Sequence, residues 1–243
     1  MCRAKGDKMT PADRTELFTG ADIDFDQVYE RGQMEPDRPE TIGTGLPWDI
    51  GVVQPEVADL ERAGRFGGEV LDLGCGAGNN GFYLADRGYR VTAVDVAVSA
   101  IELARTRSGG RAMKFAVADG TDLAGYEEQF DTVLDSMLHH AIDRCCGLTM
   151  PRPVPGDRPG GLLNLLTFTD DLNGALTGLG VRQEDLRQVL TEAGWTITSL
   201  ERGTFIVVAG PMLTGLQTMD PVPEVNEAGW AKLPVWVVQA VRE

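Results

Sequence analysis

The chain has 243 residues, 42% of them hydrophobic, enough to bury the core of one large α/β domain. It carries 22 Lys and Arg against 37 Asp and Glu, a net charge of -15, which sets the average surface against nucleic-acid phosphates and anionic lipid. The four cysteines, Cys2, Cys75, Cys145 and Cys146, have no zinc-site spacing. No stretch is apolar enough for a signal peptide or a membrane span, so the reading is a soluble, cytoplasmic protein without metal.

In chain order, residues 1–46 read as a polar leader followed by an N-terminal lid. A short helix is predicted around Phe25, Val28 and Tyr29, and the Gly- and Pro-dense stretch from Gly32 to Pro55 reads as loop. Trp48 within it either caps a core edge or walls a ligand pocket.

From residue 47 the chain becomes regular, and 47–243 reads as one domain. "PEVADLERAG" is a helix stopped at Gly64, "GEVLDLG" a strand, and "NNGFYLADRG" a helix. "YRVTAVDV" is a strand, "SAIELARTRS" a helix, and "MKFAVADG" and "FDTVLDSM" are strands three and four. "GLLNLLTFTD" follows as a fifth strand and "RQEDLRQVLTEAGW" as a helix. "TITSLERGTFIVV" and "LPVWVVQAVR" close the chain as strands. Alternating strands and helices predict a doubly wound, mostly parallel sheet. No helix-length pattern joins the last two strands, so they are expected to pair antiparallel, with residues 210–232 a lid insertion.

"VLDLGCGAGNNG" leads from a strand through Gly74, Gly76 and Gly78 into a helix, which brings bare backbone close to a ligand. Asp95 stands 21 residues after Gly74 at the next strand's end, where a carboxylate can accept from both ribose hydroxyls. That spacing fits NAD as well as any other adenosine ligand. Asp72 within the first strand, the polar "ADG" ending the third, and the antiparallel final pair together disfavour NAD.

"VLDLGCGAG" with "VTAVDVAVSAIELAR", "VADGTDL" and "FDTVLDSMLHH" resembles the class I S-adenosylmethionine-dependent methyltransferases from Pro47 to Glu243. "LPWDIGVVQPEV" and "LPVWVVQAV" resemble the small-molecule branch that includes thiopurine-type and mycobacterial heterocycle-type enzymes. The resemblance implies a Rossmann-like seven-stranded sheet with S-adenosylmethionine as cofactor and S-adenosylhomocysteine as product. It implies that Gly74, Cys75 and Gly76 meet the methionine end over Asp72, that Asp95 holds the ribose, and that Val96 lies beside the adenine. Asp119 and Gly120 would meet the adenine amino edge, Asp135 and Ser136 would lie beside the methionyl group, and Trp48 would cover the cofactor.

Cys75 sits where the turn wants a small side chain, with no histidine placed to activate it, so it is not read as a nucleophile. His139 and His140, the only histidines, follow the fourth strand where the family's chain passes to the acceptor, and His140 matches the branch's histidine better. Either could take an acceptor proton or orient the acceptor. Phe25, Tyr29, Trp48, His140, Met212 and Met219 are the expected acceptor pocket, with Met34, Leu213 and Leu216 nearby.

One segment departs from the family. Residues 142–160 hold Pro151, Pro153, Pro155 and Pro159 where a three-turn helix is usual, and each interior proline costs about 3 kcal/mol or more. Apolar surface left bare there would need a lid, a ligand or a second copy of the chain, hence a possible homo-oligomer. The expected activity is methyl transfer to O, N or S of a small, largely apolar metabolite. A cofactor-dependent rearrangement or cyclisation and a catalytically silent partner subunit are the alternatives. A nucleic-acid methyltransferase is disfavoured, because "DSML" replaces the "NPPY"-type sequence that reads a flipped base.

Overall fold

A computed structural model describes residues 23–32, 45–120, 122–123, 125–126, 128–139, 141 and 157–243. The leader, Met34, His140, Cys145, Cys146 and all of the Pro-rich segment before residue 157 lie outside the described residues.

Helix α1 spans Phe25–Arg31, α2 Pro55–Arg62, and β1 Glu69–Leu73. Helix α3 covers Asn79–Asp86, β2 Arg90–Asp95, α4 Val98–Arg107, and β3 Lys114–Val117. Strand β4 covers Phe130–Ser136, β5 Asp157–Phe168, and α5 Gln183–Glu192. The chain closes with β6 Trp195–Val208, α6 Ala209–Leu216 and β7 Trp230–Arg242.

The seven strands form one sheet in the order β3-β2-β1-β4-β5-β7-β6. All neighbours are parallel except β5 with β7 and β6 with β7. Successive β1 residues serve opposite faces. Val70 joins Leu60, Leu84 and Leu134 on one, while Leu71 joins Val133, Leu186 and Leu190 on the other. Each face is covered by helices, which suits the near-continuous apolar runs of the central strands. Strand order reverses between β1 and β4, so their carboxyl ends flank the crevice in which open α/β sheets bind ligands.

Two expectations are corrected in detail. The stretch after β6 was expected to hold no helix, yet α6 forms there. Its Pro211 lies in the first turn, where the missing amide costs no helical bond, and Leu216 packs into the core. The final strands still pair antiparallel, from Trp195 opposite Arg242 to Val208 opposite Trp230. Strand β5 begins before the expected Gly161. Asp157 pairs with Phe130, and the ladder resumes at Leu162 opposite Thr132 after a shift in register, with Gly160 at φ 82° inside it.

The N-terminal segments are tied to α4 on one side and to the edge strand β6 on the other. Asp26 of α1 accepts from the Ser99 amide at 2.8 Å and from its hydroxyl at 2.7 Å, capping α4, whose own N-cap Ala97 supplies no side-chain bond. At the opposite edge, the Gln54 side chain pairs with both backbone groups of Ile206 at 3.0 Å, and Pro47 accepts from the Val208 amide at 2.7 Å. These bonds occupy the exposed edge of β6 and aim residues 47–56 across the carboxyl ends of the strands.

Candidate active site

The glycine turn is hooked to the neighbouring strand, because the Gly74 and Cys75 amides both donate to the Val94 carbonyl at 2.9 Å. Gly74 and Gly76 have φ of 69° and 52°, the left-handed region that favours glycine. A Cβ on Gly74 would come within 3.0 Å of the Leu138 side chain, and one on Gly76 within 2.3 Å of the Tyr29 hydroxyl. Neither contact follows from spacing in the sequence, since Leu138 comes from the turn after β4 and Tyr29 from the lid.

Asp95 closes this loop. Its two carboxylate oxygens accept from the Gly76 amide at 2.9 Å and the Ala97 amide at 3.0 Å, and burial raises its pKa. Val96 beside it is 58% exposed, an apolar ledge just past the carboxyl end of β2. Beside β2, Gly120 follows β3, and a Cβ there would meet Leu138 at 3.0 Å and Leu73 at 3.4 Å. The Asp119 carbonyl accepts from the Asp122 amide at 3.0 Å. Leu138 therefore bridges Gly74 and Gly120 as a shared floor.

At the end of β4, Asp135 accepts from the amides of Leu138 at 2.8 Å and His139 at 3.2 Å. The turn between them requires Met137 at φ 79°, a strained conformation for a side-chain-bearing residue. The Met137 amide donates to Leu166 at 2.9 Å, which over-determines the strain.

Asp72 and Asp135 are 1% and 3% exposed, and burial lifts both carboxyls to about 7. The Gly81 amide opposes the rise at Asp72, while the Asp95 and Asp135 charges add to it. Among the described residues no cation lowers any of the three. Asp72 Oδ2 and Ser136 Oγ are buried without a hydrogen-bond partner among the described residues. Three carboxyls near the carboxyl ends of β1, β2 and β4, together with two buried polar atoms left unpartnered, suit a cationic ligand with polar groups of its own.

Burial and the Asp72 and Asp95 charges raise the Cys75 thiol well above its usual range. A thiol held protonated is a poor nucleophile. Among the described residues no cluster of ligating side chains could hold a metal ion.

The aromatic lid residues meet above the turn. The indole N–H of Trp48 donates to the Tyr29 hydroxyl at 2.8 Å, and the Phe25 and Trp48 ring centroids are 6.0 Å apart. Trp48, Met137 and Met212 are half-buried against one core cluster, in which Met219 is buried. His139 is only 2% exposed.

The family described as a methyltransferase domain matches residues 70–146, from β1 through the turn after β4. Over 216 residues the chain is 30% identical to the 2-heptyl-1-hydroxyquinolin-4(1H)-one methyltransferase of Mycobacteroides abscessus, an alignment covering 84% of this chain and 92% of that one. A structure solved for the conversion of a disulfide bond into a thioacetal group during echinomycin biosynthesis is 30% identical. Its TM-score is 0.72, over 90% of this chain and 92% of that one. The 1,6-didemethyltoxoflavin-N1-methyltransferase of Burkholderia thailandensis shares the fold, with a TM-score of 0.55 at 23% identity over 98% of this chain and 93% of that one. S-adenosylmethionine suits the site, its sulfonium and ammonium answering the carboxyls at the strand ends, and the chain belongs to the S-adenosylmethionine-dependent methyltransferases.

Proposed function

We propose that this enzyme methylates O, N or S of a small, largely apolar aromatic or heterocyclic molecule. The observation that carries the reading is apolar surface beside the carboxyl-bearing strand ends. Trp48, Met137 and Met212 are half-buried against one core cluster, Met137 directly follows β4, and the Phe25 and Trp48 ring centroids are 6.0 Å apart. Such surface recognises flat apolar rings and excludes water. The hydroxyquinolinone named for the M. abscessus relative is a molecule of that kind, and the echinomycin-related structure keeps sulfur among the acceptor atoms to test.

The bound cofactor supplies an electrophilic methyl on a sulfonium. In this reading Asp95 holds the ribose, Val96 and Gly120 flank the adenine, and Asp72, Asp135 and the Gly74–Gly76 backbone fix the amino-acid end. The lid holds the acceptor in line and excludes water, and positioning of this kind offsets about 7 to 11 kcal/mol of barrier. His139 is buried, so we assign acceptor-side proton transfer or orientation to His140, worth roughly 10² to 10⁴ in rate where the acceptor must lose a proton.

Incubating the purified chain with S-adenosylmethionine and a panel of hydroxyquinolinones, phenols, N-heterocycles and thiols, read by mass spectrometry, tests this. A mass gain of one methyl on a ring acceptor supports it. A product isomeric with its substrate would transfer the chain to rearrangement chemistry, and turnover only on charged aliphatic acceptors would overturn the acceptor class.

A further inference from the structure

We propose that Tyr29 is a cofactor-binding residue whose hydroxyl donates a hydrogen bond to the α-carboxylate of the cofactor's amino-acid tail, with Asp26 as its positioning residue. The proposal rests on the cofactor and on nothing about the acceptor.

Tyr29 Oη accepts the Trp48 indole N–H at 2.8 Å. A phenol proton lies near the ring plane, so an oxygen that receives a donor on one side directs its own proton to the other. No acceptor among the described residues receives that proton. The hydroxyl stands over Gly76, where a Cβ would come within 2.3 Å of it, and Gly76 belongs to the stretch of turn assigned to the methionine end. Burial and the neighbouring Asp95, Cys75 and Asp49 keep the phenol in its neutral, donating form at all working pH values.

The surroundings select the group it serves. The three carboxyls at the strand ends attract the cofactor's cationic groups and repel its one anion. An α-carboxylate in that setting needs a neutral donor on the open side of the turn, and Tyr29 supplies one.

Asp26 acts through Tyr29. It lies one helical turn earlier, and its carboxylate is held below its ordinary range by the Ser99 amide and hydroxyl. That clasp fixes α1 against the start of α4, the helix that follows Asp95 and Val96 directly. The position of Tyr29 over Gly76 is therefore set from two directions, by Trp48 and by Ser99.

The test is calorimetric binding of two probes, S-adenosylhomocysteine and 5′-methylthioadenosine, which lacks the amino-acid tail. Tyr29→Phe should weaken S-adenosylhomocysteine about tenfold or more, the scale of a hydrogen bond to a charged group, and leave methylthioadenosine unchanged. Asp26→Ala should give the same tail-selective loss, and Asp26→Asn, which keeps an acceptor for Ser99, should restore most of it. Unchanged S-adenosylhomocysteine affinity in Tyr29→Phe, with an unfolding temperature equal to the parent's, would overturn the proposal. An equal loss for both probes would place the hydroxyl on the nucleoside and overturn the tail assignment. Failure of the parent chain to bind either probe would instead strike the cofactor site itself.

Discussion

Cofactor affinity should depend on pH through the buried carboxyls at the ends of β1 and β4. Burial lifts Asp72 and Asp135 from 3.8 to about 7, so ionising either one in the ligand-free fold is harder than in the unfolded chain by about 4 kcal/mol. The sign follows. Protonation favours the ligand-free fold, whose contribution from these groups is fully present below about pH 4 and is lost as pH rises through about 7. A cationic cofactor favours the ionised carboxyls, so binding must expel a proton wherever they are still protonated. For one group titrating near 7, the affinity for S-adenosylmethionine should rise about tenfold between pH 6 and pH 8. Calorimetry in buffers of different ionisation enthalpy would count the protons released, and Asp72→Asn should flatten the profile while weakening binding at the upper end. A flat profile with no proton release in the parent chain would refute the claim that these carboxyls are held for a cation.

Asp95→Ala should weaken cofactor binding by about a hundredfold, because it removes the ribose acceptor and frees the Gly76 and Ala97 amides, while the unfolding temperature changes little. Gly76→Ala should drive the Tyr29 hydroxyl out of place, and its cost in affinity should shrink when it is made in Tyr29→Phe, as a double-mutant cycle would show. Gln54→Ala should strip both backbone partners from Ile206 in a buried setting, costing about 2 kcal/mol and lowering the melting temperature by about 5 °C in a thermal scan.

The fold was largely legible because its signals are local. Strand and helix periods alternate, and a strand pair joined by no long crossover helix must run antiparallel, as β6 and β7 do. Helix α6 is not legible in the sequence because "AGPMLTGL" carries two glycines and a proline. Propensity opposes a helix there, and burial of Leu216 overrides it. The early start of β5 is hidden for a similar reason, since Pro159 and Gly160 read as loop.

Within the site, what lies on one strand end was legible and what arises between elements was not. Asp95 ends β2, Asp72 and Asp135 stand one residue before the ends of β1 and β4, and the parallel pairing brings all three to the same end of the sheet. Three other features depend on distances that no spacing encodes. Leu138 fills the room left by both Gly74 and Gly120, Tyr29 reaches Gly76 from the lid, and Gln54 serves as a side-chain strand for Ile206. Met137 could have been suspected only from the tight turn after β4, because a methionine gives no sequence sign of positive φ.

The central claim is that the carboxyl-flanked glycine turn delivers a methyl group to a small ring acceptor. Its most direct test is incubation with S-adenosylmethionine carrying an isotopically labelled methyl and a hydroxyquinolinone acceptor, followed by mass analysis of both products. The account predicts stoichiometric S-adenosylhomocysteine and labelled methyl on the acceptor, both formed about a hundredfold more slowly by Asp95→Ala at cofactor concentrations below the parent's Kd. Labelled product at the parent rate in that variant, or binding of S-adenosylmethionine with no transfer to any ring acceptor in the panel, would contradict it.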